Sequence, residues 1–284
     1  MFSQIIINSL ISGAIYALLA LGFNLIYNST KFFNLSHGTV GVAGGYVVYG
    51  LAQLWGWNFY LSLLIGLLSA GALGWFLNYF VFSALRRQKA SNMTMLVASL
   101  GLFTILQALI TIIFSSQFQI LNQSLPQIYS LANASITQIQ IIIILVTLLV
   151  AGALLLLLKK TLFGKMVRAL SDDEGVAKIV GLNTEKIIGW VFFIGSAIAG
   201  LAFIFQGLDS GLEPSLGLGL LLKGVIAAII GGVGNVYGSF VGAFLLAFVE
   251  NFGIWKIAAE WKDAIAFALL VIFLLFRPQG LMKR

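Results

Sequence analysis

His37 is the only histidine in this 284-residue chain, and cysteine is absent. That excludes a metal site built from several histidines, a thiolate nucleophile and a disulfide framework. Soluble-enzyme signatures fail on spacing. Gly164-Lys165 runs into Met166 with no glycine-rich loop before it, so the chain has no phosphate-binding loop of its own. Gly232-x-Gly234 with Gly238 lacks the spacing and the βαβ context of a dinucleotide fingerprint, and close helix packing is its better explanation. His37, in Asn34-Leu35-Ser36-His37-Gly38, reads first as a hydrogen-bonding group at a helix end and second as a pH-sensitive group. Lys223 reads as a cation that snorkels outward, and Glu250 as a carboxylate at the outer interface. No catalytic residue and no metal site emerges.

The elements that carry these residues are set by composition. Hydrophobic residues make up 60% of the chain and charged residues 9%, against roughly 45–50% and about 25% in a soluble domain. Such a chain cannot cover its own surface with polar groups. The net charge of +7 does not make it a nucleic-acid binder, because a basic patch needs a water-facing surface. The expected partner of most of its surface is membrane lipid.

A span needs about 20 mostly apolar residues, so charges act as punctuation. They place spans at about Ile5–Tyr27, two between Lys31 and Arg86 with a break at Trp55-Gly56-Trp57-Asn58, then Met93–Phe114, Ile139–Leu158 and Ile187–Leu208. Residues 217–255 hold two short spans or a re-entrant element plus one, and Ala264–Phe276 closes the series. Between Ser115 and Gln140 lies a polar loop containing Pro126. The expected fold is all-α: a polytopic helical membrane protein of about eight to ten transmembrane helices with glycine-rich broken or re-entrant segments. Nine spans put thirteen of the sixteen bases on one side, among them Lys31, Arg86, Lys159, Arg168, Lys283 and Arg284. The positive-inside rule makes that side cytoplasmic, with the N-terminus outside and the C-terminus inside.

Two stretches are dense in glycine, Gly38–Gly45 and Gly231–Gly242. Each is either an interrupted helix along a wet cavity or a surface for close helix approach, and their similar placement hints at an internal repeat. Near them, Asn34, Ser36, His37 and Asn235, with Tyr16, Asn24 and Gln107 inside spans, are the candidate lining of a solute pathway; the bland alternative is hydrogen bonding between helices.

The loop 159–186 is too polar for lipid. Ser171 with Glu174 three residues on reads as a capping box, Val176, Ile179 and Val180 follow at helical spacing, and Gly181 before Leu182 supplies the stop. A capped helix of about ten residues is marginal alone in water. Its apolar edge either lies on the membrane or, the preferred reading, docks into a cytoplasmic protein.

Taken together, NSLISGAIYALLALGFNLIY and FFNLSHGTVGVAGGYVVY at the start, ALSDDEGVAKIVGLN in the loop, and LKGVIAAIIGGVGNVYGSFVGAFLLAFVEN before FRPQGL resemble the permeases of bacterial branched-chain amino acid-type ABC transporters, a superfamily shared with ribose- and xylose-type permeases. The resemblance covers nearly the whole chain. It implies one transmembrane permease domain over 1–284, with 159–186 as the loop that couples to two cytoplasmic ATPase subunits. It further implies a second permease subunit, similar or identical, and a periplasmic or lipid-anchored substrate-binding protein. ATP would be used on the partner subunits, with no cofactor in this chain, and the setting would be the bacterial inner membrane. The implied solutes are branched-chain or other amino acids, urea and short amides. The competing reading is a stand-alone channel or secondary transporter for a small neutral solute such as urea; it suffers from the scarcity of buried charge that could hold a coupling ion.

Overall fold

A computed structural model describes residues 2–121, 127–131, 134–256 and 258–282. Pro126 of the polar loop, and Lys283 and Arg284 of the charge count, lie outside the described residues. In chain order the helices are α1 (Phe2–Thr30), α2 (Ser36–Tyr49), α3 (Phe59–Leu77), α4 (Ser83–Arg87), α5 (Asn92–Phe114), α6 (Gln138–Lys160), α7 (Leu162–Asp172), α8 (Glu174–Ile179), α9 (Thr184–Asp209), α10 (Leu216–Gly231), α11 (Val236–Gly253) and α12 (Lys262–Phe276). Single π-helical turns extend α2 over Gly50–Leu54 and join α3 to α4 over Asn78–Phe82. Among the described residues, β structure is limited to a hairpin of β1 (Ile128–Leu131) with β2 (Ala134–Thr137), antiparallel with Ile128 opposite Thr137, inside the expected polar loop, and a single bridge between Gln119 and Leu212.

Among the described residues, six helices are long and apolar enough to cross a membrane: α1, α3 through α4, α5, α6, α9 and α11. This is a multi-pass helical membrane protein. α2, α10 and α12 account for the other expected spans but are shorter; the 16 residues of α10 reach only about 24 Å at 1.5 Å per residue, against a hydrocarbon core of about 30 Å. α1 and α9 form the centre and are buried along most of their length, whereas α5 and α6 turn most of theirs outward. Leu145, Leu148 and Leu149 on α6 and Ile105, Ile112 and Ile113 on α5 make an exposed apolar surface of the kind lipid covers.

The first glycine-rich stretch does not interrupt a helix. Gly38–Gly45 lies wholly within α2, and its glycines let three elements approach. A Cβ on Gly41 would collide with the Phe203 ring, one on Gly44 would stand 2.9 Å from the Ala70 Cβ, and one on Gly38 would overlap the Gly217 carbonyl. The break falls just before it. Lys31 has φ +58°, and the chain then turns back along α1, so that Phe33 packs on Tyr27 and Phe23 with ring centroids 5.0 and 5.6 Å apart. α2 therefore starts beside Gly22, eight residues or about 12 Å in from the end of α1. At the second stretch the break is real but short: Gly232 (φ +109°) and Gly234 (φ +92°) form the turn, while Gly238 and Gly242 belong to α11 and press on α10. The two stretches thus differ in that only the second contains a turn, while both carry glycines at close helix contacts.

The C-terminal FRPQGL segment has a physical task at that turn. Leu281 and Met282 donate their N–H groups to the last carbonyls of α10, Ile230 O at 2.8 Å and Gly231 O at 3.1 Å, groups that the helix itself leaves unpaired.

Candidate functional site

Where α6 ends, the chain leaves the bundle. Thr161 caps α7 by accepting from Gly164 N at 3.1 Å, and a Cβ on Gly164 would overlap the Leu158 carbonyl, so the corner between α6 and α7 is tight. α7 buries Val167 and Leu170, and the Ser171 hydroxyl donates to Asn28 O at 2.7 Å, which ties α7 to the end of α1. Ser171 is thus inside a helix and is not the expected cap. Asp173 breaks the helix with extended backbone and caps α8 through Oδ1, which accepts from Val176 N at 3.0 Å. Glu174 pairs instead with Lys178 at 2.7 Å. A reciprocal capping box does form at Thr137 and Gln140, the start of α6. α8 has six residues rather than about ten, because α7 absorbs the residues before Asp173.

Its far end matches the expected stop. Gly181 has φ +89°, its N–H bonds Lys178 O at 3.0 Å, and Leu182 N bonds Ala177 O at 3.0 Å, which together make a Schellman closure. Between these two caps α8 turns Ala177 inward and leaves Val176, Ile179 and Val180 55%, 86% and 75% exposed. A six-residue helix and its C-cap residue Val180, fixed at both ends, thus present three bare aliphatic side chains. Beside it, Arg86 bonds Glu185 Oε2 at 3.1 Å and Ser83 bonds the same oxygen at 2.8 Å, clamping α4 to the first turn of α9. Sequence reading passed over that clamp, since 99 residues separate its charged partners.

The expected pathway residues separate into three groups. Asn34, Ser36 and His37 lie together, fully buried, at the start of α2. The Ser36 hydroxyl donates to Asn34 Oδ1 at 2.7 Å. Neither ring nitrogen of His37 has a hydrogen-bond partner among the described residues, so its expected role as a helix-end hydrogen-bonder is not what the fold provides. Gly38 and Thr39 in the first turn of α2 press on Gly217 in the first turn of α10, so two helix N-termini meet in the interior. Their like-signed dipole ends face one another.

Asn24 and Asn235 form the second group. Asn24 Oδ1 accepts from Gly234 N at 2.7 Å, and its amide donates to Ser239 Oγ at 2.6 Å and Asn235 O at 3.2 Å. Asn235 caps α11 by accepting from Gly238 N at 3.1 Å. Three hydrogen bonds of Asn24 hold the α10–α11 turn on α1, at about 1 kcal/mol net per bond. Both asparagines also border a cavity of about 310 Å³ between α1, α6, α7 and that turn. Gln107 stands apart, half-buried on α5.

Tyr16 belongs to a third group that corrects the sequence reading of Lys223 and Glu250. Neither faces outward. The Glu250 carboxylate is fully buried; it accepts from Tyr16 Oη at 2.8 Å and pairs with Lys223 at 3.4 Å and Lys262 at 3.7 Å. Lys223 also pairs with Asp263 at 3.0 Å. Burying a charge is expensive unless it is paired, and the pairing fastens α12 to α10 and α11. The interior is therefore less empty of charge than the spacing of ionisable residues implies.

Residues 5–274 match the family described as branched-chain amino acid transport system / permease component. The chain is 29% identical to the high-affinity branched-chain amino acid transport system permease protein BraD of Pseudomonas aeruginosa, over 100% of this chain and 96% of that one. It has the same identity and coverage with the permease protein LivH of Escherichia coli K12. A partial match, 29% over 42% of this chain and 36% of the other, reaches the autoinducer 2 import system permease protein LsrC of Yersinia enterocolitica. Among solved structures, PsaBC from Streptococcus pneumoniae in complex with Fab shares the fold at a TM-score of 0.54 and 14% identity, over 96% of this chain and 91% of that chain.

Proposed function

From the fact that this chain belongs to the branched-chain amino acid transport permease family, we propose that it is the membrane-spanning permease subunit of an ABC importer that carries branched-chain or other amino acids across the inner membrane. The energy comes from ATP hydrolysed by separate cytoplasmic subunits. A second permease subunit, similar or identical, and a periplasmic or lipid-anchored substrate-binding protein complete the assembly. The observation that carries this reading is α8, a doubly capped helix with Val176, Ile179 and Val180 bare on its outer face. Such a face suits a groove on an ATPase subunit, and α7 passes its displacement to α1 through Ser171 and Asn28. The side bearing α8 is then cytoplasmic, with the N-terminus outside. A stand-alone channel or secondary transporter is disfavoured by the family match across residues 5–274.

Within the protein, the paired N-termini of α2 and α10, with Asn34, Ser36 and His37, are the proposed point where an amino-acid carboxylate meets the pathway. Helix N-termini at mid-depth favour anionic groups, and His37 has unused hydrogen-bonding capacity there. In a strain lacking this chain, uptake of radiolabelled leucine falls to background and returns with the wild-type chain, while urea and ribose uptake is unchanged. The His37→Leu chain reaches the membrane and restores less than about one tenth of leucine uptake, the effect of about 1.4 kcal/mol. Unchanged leucine uptake in the deletion strain rejects the amino-acid assignment; full uptake by His37→Leu rejects the pathway assignment alone.

A further inference from the structure

The cavity of about 310 Å³ beside α7 carries two cations in its lining. Its ionisable lining groups are Lys159, at the end of α6, and Arg168, on α7, with Tyr237 as the one phenol. Among the described residues no carboxylate lines it, so none of them would balance the ammonium of an amino acid. Asn24 forms part of its wall but spends its amide on the α10–α11 turn. We infer that this cavity binds the phosphate headgroup of an anionic phospholipid, with the acyl chains lying along the outer face of α6.

Charge is the first argument. Arg168 and Lys159 are both exposed, and each has donors to spare. Arg168 uses one guanidinium nitrogen on Leu158 O, leaving further N–H groups of its fork for phosphate oxygens. The Lys159 ammonium sits 4.4 Å from the centre of the Tyr237 ring, which holds it at the cavity without consuming its hydrogen-bond donors. Basic pockets between transmembrane helices suit lipid headgroups for this reason.

The second argument is the apolar wall. Leu155, Leu158 and Val167 line the same cavity. Leu148 is two turns before Leu155 on α6 and therefore on the same face, and it is half exposed, with Leu145 and Leu149 bare nearby. A cationic mouth above an aliphatic helix face matches an amphiphile. A free phosphate would leave that face unused. The lipid site stands whether or not α8 docks an ATPase.

The test uses the full-length chain in nanodiscs of equal parts phosphatidylcholine and phosphatidylglycerol, released into the gas phase for native mass spectrometry. The wild-type chain keeps one phosphatidylglycerol in preference to phosphatidylcholine. Lys159→Gln with Arg168→Gln loses that preference by roughly 30-fold, about fivefold for each cation near the membrane surface. Lys159→Arg with Arg168→Lys retains it. Lys165→Gln, which removes an exposed cation of α7 outside the cavity, leaves retention unchanged. The inference is overturned if both lipids are held equally, or if Lys165→Gln costs as much as Arg168→Gln. It is also overturned if sn-glycerol 1-phosphate, lacking acyl chains, displaces the lipid at equal concentration.

Discussion

Replacing Glu250 by Ala will destabilise this protein by about 3–5 kcal/mol, the usual consequence of removing one partner from a buried ion pair. The carboxylate is fully buried and holds Tyr16 at 2.8 Å, Lys223 at 3.4 Å and Lys262 at 3.7 Å. Without it two ammonium groups face each other in the interior with only Asp263 to share, and Asp263 is largely exposed. The loss falls first on α12, whose one fully buried residue is Ala266, with Leu269, Leu270 and Phe273 packed partly buried beside it and Lys262 and Asp263 joined to the network. Thermal unfolding in mild detergent measures the effect. Glu250→Leu combined with Lys223→Met and Lys262→Met recovers most of it, because replacing the carboxylate and both ammonium groups by apolar groups of similar size leaves no orphaned cation. A Glu250→Ala protein as stable as the parent would mean that the network holds nothing together.

The second large effect concerns function without stability. Val176→Asp with Ile179→Asp will leave the fold intact, since both side chains are more than half exposed and such surface changes cost within about 0.5 kcal/mol. Solute uptake by the assembled transporter will nevertheless fall on the order of 100-fold. The loss of two apolar anchors at the centre of a docking surface, at about 2 kcal/mol each, suffices for that. The caps make the assignment sharper. Gly181→Val strains a residue held at φ +89° and breaks the closure at Leu182, so it will lower coupling while leaving the apolar side chains in place. Uptake by the proteoliposome-reconstituted complex, read beside its melting temperature, separates the two effects. Normal uptake with both aspartates present would remove α8 from the mechanism.

Long apolar runs between charges are legible in a linear sequence because a membrane span is local, and α1, α5, α6, α9 and α12 lie close to where those runs put them. Gly181 is legible for the same reason: the stop involves only its immediate neighbours. The start of α8 was harder. Ser171, Asp172 and Asp173 all have cap chemistry, and only the continuation of α7, packed through Val167 and Leu170, decides that Asp173 is the cap. Gly38–Gly45 could not be assigned from composition, because a glycine that permits a break and one that permits contact look alike until Phe203, Ala70 and Gly217 are in place.

The least legible feature is the charge network. Tyr16 and Glu250 lie 234 residues apart, and Lys223 and Glu250 each invite an outward-facing reading when taken alone. Lys223, Glu250, Lys262 and Asp263, four charged residues within 41 positions of a chain with only 9% charge, are the available signal. Pairing across separate helices depends on tertiary geometry, which no local spacing rule contains. Asn24 is similar: its position inside an apolar helix marks it as unusual, but its three partners at 234, 235 and 239 come from the fold.

The central claim, a permease subunit that takes its energy from a separate ATPase through α8, is tested most directly by affinity purification of the tagged chain from native membranes in mild detergent. The purified material should contain an ATP-hydrolysing subunit in fixed proportion to the chain, and the Val176→Asp, Ile179→Asp chain should come away without it. If the wild-type chain is recovered with no ATPase subunit and still moves solute after reconstitution alone, the account is wrong.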